Sequence, residues 1–219
     1  MITLYQFKGC PFCSKVRALL TYIKQPYEVV EVSPRGMKEL EGITDHKKVP
    51  VLTDGDEVIV ESAVIIEHIN NKYAKLPVTE NAKEWTDWLD NTLVHYLVPL
   101  AHPNFKTSYS NIKNIGGFTG IKGLIIPFFG ALIMPKVARK VSTKHDIQNP
   151  ESEYLAAIDH WVENGLDNQD FFGDTEAGFV DCSVFGVLIS VEKMGIVALA
   201  KEHNPKFSDW YDRCAPLMS

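Results

Sequence analysis

The 219-residue chain is short of cysteine, with only four, and these do not form the dense framework of a small secreted domain. It lacks an uninterrupted apolar run of membrane-spanning length, since the longest, Gly123 to Met134, is broken by Pro127. Positive charge is also scarce: 28 acids outweigh 22 lysines and arginines, for a formal charge of -6. With no Arg-rich stripe and no stacking motif, that balance excludes the electrostatic footprint of a nucleic-acid binder. There is no internal repeat and no low-complexity tract. Residue 1 leads straight into strand-like sequence, which leaves no room for a signal peptide. These shortages imply a globular protein of a reducing, cytoplasmic compartment, whose cysteines rest as thiols. An apolar fraction of 45% is enough for a real core, in one large domain or two small ones.

What the chain does have is concentrated near its start. Between Tyr5 and Arg17, Cys10 and Cys13 fall between a strand-like run, Ile2 to Phe7, and a segment whose Val16, Leu19, Leu20 and Ile23 recur at helical spacing. Cys10 therefore sits where a helix begins, followed by Pro11, which suits a first helical position. The free amides and positive dipole end of a helix start stabilise a thiolate, making it reactive near neutral pH. Cys-x-x-Cys can also be half of a zinc site, but Cys182 and Cys214 are single and far apart, so no metal is expected. The same two residues could instead form a structural disulfide or an inert buried pair. Redox or nucleophilic chemistry leads.

Tyr27 to Val32, rich in β-branched residues, reads as a second, buried strand, completing a parallel, right-handed βαβ unit. Ser33-Pro34-Arg35-Gly36 breaks it, and Met37 to Glu41 suits a short helix. Val49 to Thr53 is a short strand, Asp54-Gly55-Asp56 a turn, and Val58 to Val60 the antiparallel partner. Ala63 to Tyr73 suits an amphipathic helix capped by Ser62. Ala74 to Glu80, with Pro77, reads as a linker, and from Asn81 onward helical periods replace strand-like alternation. The expected division is residues 1–75, a linker at 76–80, and a helical unit at 81–219.

In the helical unit, Trp85, Trp88, Leu89, Leu93 and Tyr96 form a stripe that reads as core, in a helix ended by Pro99. Asn104 to Gly123, with Gly116-Gly117, shows no clear period. Leu124 to Met134, apolar on nearly all sides, reads as a buried helix, with interfacial contact as the alternative. Lys136, Arg139, Lys140, Lys144 and His145 then make a basic cluster, either a solvated surface or an anion site. Glu153 to Asn164 is a helix ending at Gly165. Phe179 to Met194 is a central helix with Gly178 as its cap, Asp181 in its first turn and Gly195 closing it. Cys182 reads as a core residue and Trp210 and Tyr211 as packing groups, while Cys214 has no evident partner.

A small α/β domain followed by an all-helical one resembles the layout of the glutathione transferase superfamily. Val49-Pro50 is similar to the Val-Pro whose proline is cis in that fold, and Glu61-Ser62 to the acidic-Ser pair opening its third helix. Gly178-Phe-Val-Asp181 resembles its capping box, with Gly where Ser or Thr is usual. Within the superfamily the chain resembles the membrane-associated prostaglandin E synthase type 2 family. The matching segments are Leu4 to Ala18, Pro26-Tyr27 with Val29 to Val32, Lys48 to Pro50, Ser62 to Ile66, Leu93 to Leu97 and His145 to Gln148. Glutaredoxins share the first, so Leu93-Val-His95 and His145 to Gln148 carry the narrower assignment. The stretch after Tyr73 is shorter than in vertebrate members, no hydrophobic N-terminal anchor is expected, and Phe7 stands where some members have a tyrosine that reaches the thiol.

The resemblance implies an α/β plus all-α fold: an N-terminal thioredoxin-like (glutaredoxin-type) domain and a helical domain like the C-terminal one of glutathione transferases. It implies glutathione lying beside a nucleophilic Cys10, with Cys13 or glutathione resolving the product. Val49 ahead of Pro50 would pair with the cysteinyl backbone, Ser62 would meet the γ-glutamyl carboxylate, Glu61 would hold the ammonium, and Phe12 would cover the thiols. The substrate implied is a small disulfide or a lipid peroxide or endoperoxide, handled by thiol–disulfide transfer or by isomerisation of prostaglandin H to E. A second reading is glutathione-dependent haem binding or sensing, with His95, Lys140 and Lys144 as the candidates, and a third is a scaffold with little turnover. A homodimer is compatible with the family layout; a nucleic-acid partner and an integral membrane span are not expected.

Overall fold

Alternate residues of strand β1 (Ile2–Gln6) turn inward, with Ile2, Leu4 and Gln6 buried. The computed structural model describes residues 1–33, 36–116 and 119–219, so Pro34-Arg35 of the expected strand break, and Gly117 of the stretch without a clear period, lie outside the described residues. Helix α1 (Pro11–Tyr22) carries the chain across to β2 (Tyr27–Glu31), which pairs parallel to β1 with Ile2 opposite Tyr27. On the other side of β1 lie β3 (Val51–Asp54), antiparallel to β1, and β4 (Glu57–Val60), antiparallel to β3, giving the order β2-β1-β3-β4. This is the thioredoxin-like arrangement expected, with one correction. β2 is an edge strand, and Glu28 and Val29 are exposed rather than buried, because β-branched content does not reveal how many neighbours a strand has.

Helix α2 (Ser62–Ile69) follows β4 and runs into a π-helical turn, Asn70–Ala74. Asp54 fastens this helix to the sheet: its carboxylate pairs with His68 Nε2 at 2.8 Å and accepts from Lys72 Nζ at 2.7 Å and Tyr73 OH at 2.8 Å. Burial pushes the Asp54 carboxyl up, but those partners together hold it well below the usual carboxylate range. Asp54, Glu57 and His68 are close enough to hold an ion, yet the Lys72 ammonium already bridges Asp54 and Glu57.

The helical part begins with α3 (Ala82–Trp88), a π-helical turn at Leu89–Leu93, and α4 (Val94–Ala101). The helix passes Pro99 instead of stopping there, since a proline in the last turn forfeits one hydrogen bond without ending it. Next come α5 (Phe105–Gly116), α6 (Lys122–Lys144) and α7 (Pro150–His160). α7 also overruns its expected stop through a π-helical turn, Trp161–Leu166; Gly165 lies inside it, its absent side chain leaving room for the Trp161 ring. Then follow α8 (Phe179–Ile189), α9 (Ile196–His203) and α10 (Pro205–Met218).

Gly178 does cap α8, but with no side chain of its own it supplies only half a capping box. Asp181 accepts from the Gly178 amide at 2.9 Å, and also from the Phe172 amide and Trp210 Nε1. One apolar cluster runs from Ile2 and Leu4 through α1 and α2 to Trp161, Phe185, Trp210 and Cys214. The buried helix expected over Leu124 to Met134 is not observed: Leu124, Ile125, Ile126, Phe128, Phe129, Leu132 and Ile133 are exposed on α6, because apolar periodicity cannot tell whether a face has a neighbour. Among the described residues no single helix is long and apolar enough to cross a membrane.

Candidate active site

Cys10 is the N-cap of α1 and Pro11 its first residue. The Cys10 amide donates to the Phe7 carbonyl at 3.0 Å, and the Cys10 carbonyl accepts from the Ser14 amide at 3.0 Å. Its sulfur is half-buried, and Cys13, one turn on, is fully buried. A hydrogen bond from the Cys13 thiol is the chief influence on Cys10; burial opposes it, while the Cys13 and Phe12 amides and the Arg17 charge reinforce it, leaving the Cys10 thiol lowered to about 7. Cys13 moves the other way, pushed far up by its hydrogen bond to Cys10 and then by burial. The pair thus splits into one thiolate and one protonated donor.

Arg17, which sequence reasoning did not assign, is clamped beside this turn. Its guanidinium donates to Gln6 Oε1, to Ser14 Oγ at 2.6 Å and to the Lys8 carbonyl at 3.3 Å. The spacing of four from Cys13 on one helix was the signal that could have found it. Lys15 is buried on the same helix and donates to both carboxylate oxygens of Asp90, at 2.8 and 2.9 Å. On that side α1 crosses α8 at Gly186, where an added Cβ would stand 2.4 Å from the Lys15 Cα.

The Val49-Pro50 peptide is cis, with Pro50 buried at the entry to β3. Ser62 is not the cap of α2 but its first residue; Glu61 is the cap, at φ 67°, a value uncommon for a residue with a side chain. That turn starts the helix one residue earlier than the stretch from Ala63 suggests and moves the capping place to Glu61. Ser62 is buried, while the Glu61 carboxylate is exposed and pairs with His46 Nε2 at 3.6 Å, a neighbour the sequence did not announce.

Phe12 is half-buried and packs against the main apolar cluster. His95 stacks on His145, ring centroids 3.6 Å apart, and burial, then His145 and Lys144, lower its proton affinity. Lys140 and Lys144 are exposed on α6, and neither makes an ion pair among the described residues. The structure therefore gathers Cys10, Phe12 and Cys13 at one helix start, Glu61 and Ser62 at another, and His95 with His145 in a separate cluster.

The family models "Glutathione S-transferase, N-terminal domain" and "Glutathione S-transferase, C-terminal domain" match residues 4–79 and 124–217. Prostaglandin E synthase 2 of Danio rerio is 30% identical, over 97% of this chain and 70% of that protein. The chain belongs to the glutathione S-transferase family. Prostaglandin E synthase 2 of Mus musculus is 27% identical, over 97% of this chain and 69% of that protein. Among solved structures, human glutathione transferase theta-2 in complex with glutathione and an unknown ligand superimposes with a TM-score of 0.67 at 19% identity, covering 100% of this chain and 83% of that one. A rice glutathione transferase in complex with glutathione gives 0.64 at 18%, covering 98% and 86%. At those identities the likeness is one of fold: a thioredoxin-like domain with a helical domain behind it.

Proposed function

We propose that this transferase is a glutathione-dependent thiol enzyme, akin to prostaglandin E synthase 2, in which Cys10 is the nucleophile. The observation that carries the reading is the partly exposed Cys10 at the N-cap of α1, one turn from the buried Cys13, a setting that lowers the Cys10 thiol. Glutathione fits the chain's own groups. The Val49 backbone ahead of cis-Pro50 pairs with its cysteinyl unit, the amides and hydroxyl at Ser62 receive its γ-glutamyl carboxylate, and Glu61 takes its ammonium.

With a disulfide, the Cys10 thiolate attacks one sulfur. An S–S bond forms as the old one breaks, and the departing sulfur takes a proton from solvent. A glutathione thiolate then attacks the mixed disulfide and returns the Cys10 thiolate. Cys13 is fully buried, and burial disfavours its thiolate even after Cys10 has entered the mixed disulfide, which favours glutathione as the resolving thiol. With an endoperoxide, attack at oxygen forms an S–O bond as the O–O bond breaks. Loss of the proton on the adjoining carbon then makes a carbonyl and frees the thiolate, and that proton ends on the alkoxide, so the sequence is a net isomerisation. A cleft of about 350 Å³ bordered by Lys8, Arg17, Ile115 and Ile189 lies beside the Cys10 turn and offers room for a second substrate.

The stacking of His95 on His145 accounts for its burial, so haem forms no part of this reading. The test is glutathione-dependent reduction of 2-hydroxyethyl disulfide. Cys10→Ser is expected to lower kcat/KM by about a hundred-fold or more with an unchanged circular dichroism spectrum, and retained activity would sink the proposal.

A further inference from the structure

Between Asn91 and His145 the chain places seven of its 22 lysines and arginines and none of its 28 acids. A protein of net charge -6 thus carries one segment of purely positive sign, and that segment is mainly the hairpin of α5 and α6. The hairpin is also where apolar surface is left open. On α6, Leu124, Ile125, Phe128, Phe129, Leu132 and Ile133 are each between 46% and 62% exposed, and Ile121, just before it, is 75% exposed. A soluble monomer rarely leaves so many large side chains together in water.

The two features share one face. Ile125, Phe129, Leu132, Lys136 and Arg139 follow i, i+4, i+7, i+11, i+14, a single stripe along α6, with Ala131, Pro135 and Ala138 on the buried side. Along that stripe the character changes from apolar to cationic. Lys136, Arg139, Lys140 and Lys144 are all exposed. From Ile125 to Lys136 the helix rises about 16 Å, enough for its first turns to sink roughly 5–10 Å past the headgroups of a bilayer while the cations remain among the phosphates.

We infer that the exposed face of α6 binds the surface of an anionic lipid membrane, with the apolar turns inserted and the basic turns on the headgroups. A second copy of the chain fits less well. In an antiparallel symmetric contact the apolar turns could meet, but Lys136, Arg139, Lys140 and Lys144 would find no acid on the partner's segment to answer them. The bound surface would lie next to the nucleophile's loop, since α5 seats against it: a Cβ on Gly9 would stand 3.3 Å from Ile115. Membrane binding of this kind is independent of what Cys10 acts on.

Co-sedimentation of the full chain with vesicles tests it. Vesicles of phosphatidylcholine with phosphatidylserine should bind at least about ten-fold more tightly than phosphatidylcholine alone, and binding should fall away in high salt as the Debye length shrinks to about 3 Å. Arg139→Gln should weaken binding about five-fold, and Phe129→Ser with Leu132→Ser should abolish it. Unchanged iodoacetamide reactivity of Cys10 in these variants would show that they are folded. Equal binding to both vesicle types, or binding indifferent to the variants, would overturn the inference. So would a concentration-dependent dimer in sedimentation velocity that Phe129→Ser dissolves without any vesicle binding, which would give the face to a second copy.

Discussion

Cys10 and Cys13 carry the same side chain and opposite chemistry, because one sits at the open end of a helix and the other is sealed one turn inside it. Each sets the other: the Cys13 proton stabilises the Cys10 thiolate, and the thiolate holds that proton in place. Cys10, lowered to about 7, is roughly half ionised at neutral pH, and its reactivity should climb through that value and level off above it. Cys13→Ala removes the donor and should return Cys10 toward about 8.5, slowing alkylation by iodoacetamide at pH 7 about ten-fold. Cys13→Ser keeps a donor and should leave the pH profile nearly in place. Identical profiles for Cys13→Ala and the unaltered protein would mean that Arg17 and the backbone amides acidify Cys10 unaided.

The contact of α1 with α8 decides where that thiol is held. Gly186 is there for close approach rather than for backbone freedom: an added Cβ would meet the Lys15 Cα at 2.4 Å and the Ser14 carbonyl at 2.8 Å, both main-chain atoms of the Cys10 helix. Neither can swing aside, so Gly186→Ala must push the helices apart, at a cost of about 1–3 kcal/mol or more. Urea denaturation should show the lower midpoint, and Cys10 alkylation should slow as α1 shifts against its loop. A wild-type midpoint and rate would show that the crossing tolerates a methyl.

The thioredoxin-like and helical parts are joined as one physical body. A single apolar cluster runs through both, and the buried Lys15 ammonium of the first is neutralised by Asp90 of the second. Removing the acid leaves an unanswered buried charge, so Asp90→Ala should cost about 3 kcal/mol. It should do so for the whole molecule at once. All four tryptophans, Trp85, Trp88, Trp161 and Trp210, lie in the helical part, so their fluorescence reports on it, while labelling of the buried Cys13 thiol reports on the other. The two urea transitions should coincide and move together in Asp90→Ala; separated midpoints would show that the parts unfold independently.

Features governed by near neighbours in the chain were legible without coordinates. A strand followed by Cys10-Pro11 and an apolar helix can only put a thiol at a helix start, and Asp54-Gly55-Asp56 between two apolar runs makes a hairpin. Gly178 and Asp181 mark the start of α8 for the same reason. Features that depend on what lies opposite were not. Ser62 lost its capping place to Glu61, whose positive φ belongs to the turn it occupies. The exposure of β2 follows from its place at the sheet edge, and that of Leu124 to Ile133 from the lack of a neighbouring helix on that face of α6 among the described residues. Lys15 and Asp90 meet across 75 positions of sequence. Periodicity and capping act over a few residues, whereas burial, charge pairing and thiol acidity are set by atoms brought together only when the chain has closed on itself.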